Sequence, residues 1–203
     1  MATVKLTKTE LRTQQLRLDQ LQKYLPTLQL KKALLQMEVL QASQEIDTLF
    51  VDFDAVEERV RHFSALLSDK SASDLFSAVT IVEVGKRYEN VAGVEIPIFE
   101  NVLFREPSYA LFDSPVWMEP AMAGVRELLV VREKIRIAKE KKKRLEKELR
   151  DVSIRVNLFE KILIPRALKN MKKIRIFLGD QQLAAVAQAK VSKKKILERA
   201  ALR

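Results

Sequence analysis

Apolar residues recur every seven places through the first third of the chain, at Leu11, Leu18, Leu25, Val39, Ile46, Phe53, Val60 and Leu67, with Lys32 the one polar member. A companion series three places on reads Gln14, Leu21, Leu28, Leu35, Ala42, Leu49, Val56 and Phe63. Two seam positions held over so many heptads predict a coiled-coil helix from about Thr7 to Leu67, on the order of 90 Å long at about 1.5 Å per residue. Pro26 falls inside the pattern; it removes one backbone donor, so a bend or local distortion near Tyr24 to Pro26 is expected in place of a break.

A second long pattern starts near Pro120 and runs to Ala201. Ile135, Lys142, Leu149, Val156 and Leu163 occupy one seam position, and Ala138, Leu145, Val152 and Phe159 the other. After Leu163 the seam steps by four to Ala167 and continues as Asn170, Ile174, Phe177, Gln181, Ala184, Gln188 and Val191. Such a step is a stutter that locally unwinds a supercoil, and Pro165 stands at it. The last part of the seam is small and polar, which suits a slender end entering a cavity. Two long helices flanking a compact middle pair most simply antiparallel within one chain, as a rod. A parallel homodimer would leave two heptad systems each needing its own partner.

The middle breaks the helical rhythm. Val79 to Val84 is rich in β-branched residues, Gly85 to Asn90 is polar, and Val91 to Phe99 is apolar again. This predicts a β-hairpin over about 79–99, with Pro97 confining its strand to an edge of a two-stranded ribbon. Leu103, Phe104, Tyr109, Leu111, Phe112, Val116 and Trp117 are expected to cluster beneath it, and Asp113 or Ser114 before Pro115 offers a start to the second helix. The expected fold is therefore mainly α, a long antiparallel two-helix coiled coil with a small hairpin-bearing middle. The domain boundaries are 1–67, 68–118 and 119–203.

Composition narrows the function. Four glycines and six prolines in 203 residues are too few for a sandwich or barrel, and neither GxxxxGK[ST] nor GxGxxG is present, so no nucleotide site and no cofactor are expected. The absence of cysteine excludes disulfides and thiolate metal sites; with the single His62 it leaves no catalytic and no metal centre. Asp52, Asp54, Glu57 and Glu58 read as a solvated helix face. No apolar run approaches a membrane span and the first 30 residues lack the block of a signal peptide, so a soluble intracellular protein is expected.

Net charge is +10, but unevenly placed. Residues 1–50 carry 7 basic and 5 acidic groups, residues 51–125 carry 6 and 13, and residues 126–203 carry 24 and 9. A chain polarised in this way is suited to different partners along its length. The runs Lys139 to Arg144 and Lys193, Lys194, Lys195 are candidates for polyanion contact. Glu140, Glu146 and Glu148 are interleaved as on ordinary charged coiled-coil surfaces, which with the lack of aromatic interleaving weighs against nucleic acid; contact with acidic protein loops is an equally physical use of these cations.

Several stretches resemble one family, the D subunits of the rotary V/A-type ATPases. Arg155-Val156-Asn157-Leu158-Phe159-Glu160, followed by Ile162-Leu163-Ile164-Pro165-Arg166, resembles its VNxLE...IPR signature. Ala189 to Lys195, which includes Lys190, resembles its basic end; Asn90 to Pro97 resembles its NxxGVxxP segment and Leu6 to Leu11 its helix start. Between Lys23 and Val39 the chain departs from the family's glycine-and-lysine-rich stretch. The resemblance implies a non-catalytic central rotor shaft coupling ATP turnover in a hexamer of A and B subunits to proton or sodium movement through a membrane ring. It further implies contacts with the small F subunit and with the funnel-like C subunit, and a peripheral place on the cytoplasmic face of the membrane. Lys190, Lys193, Lys194, Lys195, Asn157, Glu160, Pro165 and Arg166 are the implied partner contacts. The competing reading is a basic coiled-coil scaffold or nucleic-acid-associated adaptor.

Overall fold

The computed structural model describes residues 4–62, 75, 79–106 and 115–201. Its elements are α1 (Lys8–Arg61), β1 (Ile81–Val91), β2 (Val94–Phe104), α2 (Met118–Leu158), a five-residue π-helical segment (Phe159–Leu163) and α3 (Ile164–Ala201). Seam residues Phe63 and Leu67, and Tyr109, Leu111, Phe112, Asp113 and Ser114, lie outside the described residues. The chain divides into two compact units, residues 31–151 and residues 1–30 with 152–203.

In the unit of residues 31–151, α1 and α2 run antiparallel. Lys31 pairs with Glu148 at 2.8 Å, Lys141 with Glu45 at 2.9 Å and Arg59 with Glu127 at 2.9 Å, so partners descend α2 as α1 ascends. Every expected α1 seam position in this unit, from Lys32 to Val60, is buried or half-buried. Leu35, Ala42 and Leu145 expose nothing, and Val56, Val131 and Ile135 form a cluster joined by Leu49, Phe53, Val60 and Leu128. A seam two residues wide buries little against solvent, so each such side chain carries a large share of the pairing energy.

The hairpin differs from expectation in its turn. β1 and β2 pair antiparallel from Ile81↔Phe104 to Val91↔Val94, and the turn is Ala92-Gly93, not the polar Gly85 to Asn90. Both turn residues have positive φ, 52° and 82°, the geometry of a two-residue turn whose twist matches the strands. The Gly93 N–H donates to Asn90 Oδ1 at 2.9 Å, which is why the asparagine precedes the turn. Gly85 is internal to β1 at a register shift; a Cβ there would stand 2.1 Å from Asn101 Oδ1. The sheet has two strands, with Pro97 opposite Tyr88.

The expected cluster beneath the hairpin is also revised. Leu103 is half exposed and Val116 almost fully exposed, while Ile96, Pro97 and Ile137 are buried. Ile137 lies off the heptad seam, yet a second face of α2 receives the hairpin. Trp117 instead joins Leu75, Met118, Ala121 and Met122 near the start of α2.

In the other unit, α1 begins at an N-terminal cap: Thr7 Oγ1 accepts the Glu10 N–H at 3.2 Å. The helix is unbroken through Pro26, and the Thr27 hydroxyl donates to the Tyr24 carbonyl at 2.8 Å in the turn around it. Leu18 packs with Ala167 and Met171, flanked by Leu11 and Ile164. The stutter expected at Leu163 to Ala167 takes the form of the π segment, in which the Ile164 N–H reaches the Phe159 carbonyl. The widened turn leaves room for the Pro165 ring, which would otherwise press on the carbonyl one turn back. Val156 and Ala167, on either side of the π segment, are both buried.

Beyond that point the seam departs from expectation. Met171, not Asn170, is buried beside Ala167 and Ile174, and Phe177 is exposed. From Asp180 to Glu198 every side chain is exposed, so Gln181, Ala184, Gln188 and Val191 pack on nothing within the described chain.

Candidate functional site

Two surfaces of the unit formed by residues 1–30 and 152–203 hold the residues singled out by sequence. Asn157, Glu160, Pro165 and Arg166 are all exposed and gather around the π segment. Widening one helical turn turns the following face by one residue, so the π segment decides which side chains point outward there. Arg166 lines a cavity of about 590 Å³ with Lys5, Arg17, Glu10, Gln14 and Asn170. Gln14 is 7% exposed and its amide donates to Glu10 Oε1 at 2.8 Å, which satisfies a polar group in a seam position. Three cations around one carboxylate give this groove a net positive lining.

Lys190, Lys193, Lys194 and Lys195 lie on the bare stretch of α3, roughly 36 Å along the helix from Arg166 at about 1.5 Å per residue. They therefore form a surface separate from the π segment. Lys194 approaches Glu198 at 3.7 Å, a solvent-exposed pair of small energetic weight. Between and around these lysines stand exposed Leu183, Val186, Val191, Ile196 and Leu197. From Asp180 to Glu198 the helix buries no apolar face among the described residues, and an isolated helix in water is marginal.

The sequence pattern did not expose how the hairpin is held in the unit of residues 31–151. Arg126 lies over the Phe104 ring at 5.2 Å, Lys134 over Phe99 at 5.5 Å and Arg144 over Tyr88 at 5.6 Å. Arg144 also donates to the Glu95 carbonyl at 3.2 Å and to Glu140 at 2.8 Å, while Lys86 reaches Glu140 at 3.0 Å. These hydrogen bonds, from Lys86 first and then Arg144, hold the Glu140 carboxyl below its ordinary range. The legible signal was the recurrence of Arg126, Lys134, Ile137, Glu140 and Arg144 at helical spacing beside the heptad seam.

No group of three or more His, Asp or Glu that could hold a metal occurs among the described residues, and His62 is exposed. Asp52 and Asp54 face solvent, and Glu57 and Glu58 pair with Arg61, each at 3.2 Å. None of the described helices is long and apolar enough to cross a membrane. What the arrangement offers chemically is surface: apolar and cationic side chains on helices whose spacing is fixed by the seam.

Comparison with known proteins identifies relatives over nearly the whole chain. The family model for the D subunit of ATP synthase matches residues 10–194. The chain is 43% identical over 197 residues to the V-type ATP synthase D subunit of Chlamydia caviae, spanning 97% of this chain and 95% of that one. It is 44% identical over the same span to the D subunit of Chlamydia abortus, and 43% identical over 194 residues to that of Chlamydia pneumoniae, where 95% of this chain and 93% of the relative are covered. Matching from the first turns of α1 into the basic end of α3, the chain belongs to the ATP synthase D-subunit family.

Proposed function

We propose that the chain is the central rotor shaft of a V/A-type ATP synthase or ATPase, a non-catalytic component that couples ATP turnover in an A/B hexamer to proton or sodium movement through a membrane ring. One observation carries this reading beyond family membership. From Asp180 to Glu198, α3 presents exposed apolar and basic side chains that pack on nothing in the described chain. Such a helix fits inside a ring of other subunits. Because a helix has unlike faces, it meets chemically identical interfaces differently, and turning it by a third of a turn exchanges their states; a shaft with no differential contact could shift no equilibrium. The partners in this reading are the catalytic A and B subunits around the end of α3, the F subunit beside the paired helices and the funnel-like C subunit, with the complex peripheral to the membrane on its cytoplasmic face. Lys190, Lys193, Lys194 and Lys195 face acidic loops of the hexamer, and Asn157, Glu160, Pro165 and Arg166 form a second contact at the π segment.

The chain has no cysteine, so one can be introduced alone. Ala187→Cys, carrying a photoreactive maleimide in the purified complex, is expected to cross-link to a catalytic subunit. ATP hydrolysis should then fall in proportion to the fraction linked. Full hydrolysis by a fully linked complex would show a static scaffold.

A further inference from the structure

We infer that Lys143, Lys147 and Arg150 form a docking stripe for an acidic helix of another protein. Between Arg126 and Arg150, α2 carries eleven Lys and Arg residues, and the structure gives partners to eight of them. Arg126 and Arg144 bond backbone carbonyls of the hairpin segment, at Arg105 and Glu95 respectively. Arg132 and Arg136 flank the buried Glu133 at 3.7 and 2.7 Å. Lys134 and Lys139 lie over the Phe99 and Phe50 rings, Lys141 pairs with Glu45, and Lys142 bonds Ser43. Lys143, Lys147 and Arg150 are exposed and have no partner among the described residues.

Those three are not scattered. Spacings of four and three place them on one face of α2, about 10 Å from first to last at about 1.5 Å per residue, pointing away from buried Ala138 and Leu145. Glu146 stands four residues before Arg150 and Asp151 four after Lys147, yet neither pairs with the row, so the three cations stay open to carboxylates of another chain. The matching surface is a helix with Asp or Glu at the same three- and four-residue steps. The chain already uses this recognition between its own helices in the Lys31–Glu148, Lys141–Glu45 and Arg59–Glu127 pairs. A row one side chain wide, with no aromatic ring among its three members, suits a helix better than a polynucleotide, whose binding surfaces spread cations over a groove and stack bases. The inference stands on family membership in a multisubunit complex and does not depend on whether the chain rotates.

The test is zero-length carbodiimide coupling in the intact complex purified through a tag on this chain, which joins a lysine amine only to a carboxylate in contact. Lys143 and Lys147 are expected to link to Asp or Glu residues three or four apart on one helix of one other protein of the complex. In the Lys143→Arg/Lys147→Arg variant, which keeps charge and removes the amines, those links should fall at least tenfold while links at other lysines persist. Links confined to this chain's own carboxylates, links spread over several proteins without helical spacing, or nucleic-acid adducts at these lysines after ultraviolet irradiation would each overturn the inference. A complex that turns yet shows none of the expected links would separate this failure from failure of the shaft reading.

Discussion

Leu145 exposes none of its surface, whereas Met37 on the outer side of α1 exposes 69%. Leu145→Ala is therefore expected to cost about 2–5 kcal/mol and Met37→Ala no more than about 0.5 kcal/mol, measured by denaturant unfolding of the purified chain. Equal effects would mean that the seam does not carry the pairing. Glu140 makes a second residue-level prediction. Its carboxyl is held below the ordinary range in the folded chain, chiefly by Lys86 and then Arg144, so its contribution is present above the unfolded pKa and is lost as pH falls through the folded one. Glu140→Gln should destabilise the chain at neutral pH, and its unfolding midpoint should converge with that of the parent under acid conditions below the ordinary carboxylate range. At this scale the heptads were legible because period and burial coincide, down to Lys32 and Gln14, which sit at seam positions. Ile137 was not legible, because its burial comes from a hairpin that no periodicity of α2 announces.

Prolines and the π segment are the features of the helices themselves. Pro26 leaves one carbonyl of α1 without its helical donor, so Pro26→Ala is expected to stabilise the chain by up to about 3 kcal/mol, read as a raised thermal midpoint. A lowered midpoint would show that the local geometry at Tyr24 to Thr27 is itself required. Deleting Glu160 removes the extra residue of the π segment, so the turn closes to ordinary α-helix while Ala167, Met171 and Ile174 keep their place in the seam. The Pro165 ring then presses on the carbonyl one turn back, and the thermal midpoint is expected to fall. Truncation before Gln181 should leave the midpoint within about 4 °C, because the described side chains removed are exposed throughout. The stutter was readable from spacing, as the four-residue step next to Pro165. The form it takes was not, since a π turn and a loosened α-turn leave the same trace in a hydrophobic pattern. The hairpin was readable as two β-branched runs; its turn was misplaced because the polar stretch Gly85 to Asn90 resembles a loop, while Ala92 is an unusual residue for positive φ.

At the scale of the whole molecule, the sequence carries function in resemblance and in charge placement. Among the 24 basic residues beyond position 125, some hold the hairpin and some pair with α1, while others, including Lys143, Lys147, Arg150 and the Lys190 to Lys195 group, are exposed. Pattern could not make that division, because a lysine over an aromatic ring and a lysine in solvent have the same spacing. The shaft reading rests on rotation, and rotation is directly observable. With the catalytic hexamer fixed to a surface and a probe attached through Val82→Cys on the exposed side of β1, ATP should drive the probe in one direction in steps of a third of a turn. A probe that stays still while the same complexes hydrolyse ATP would contradict it.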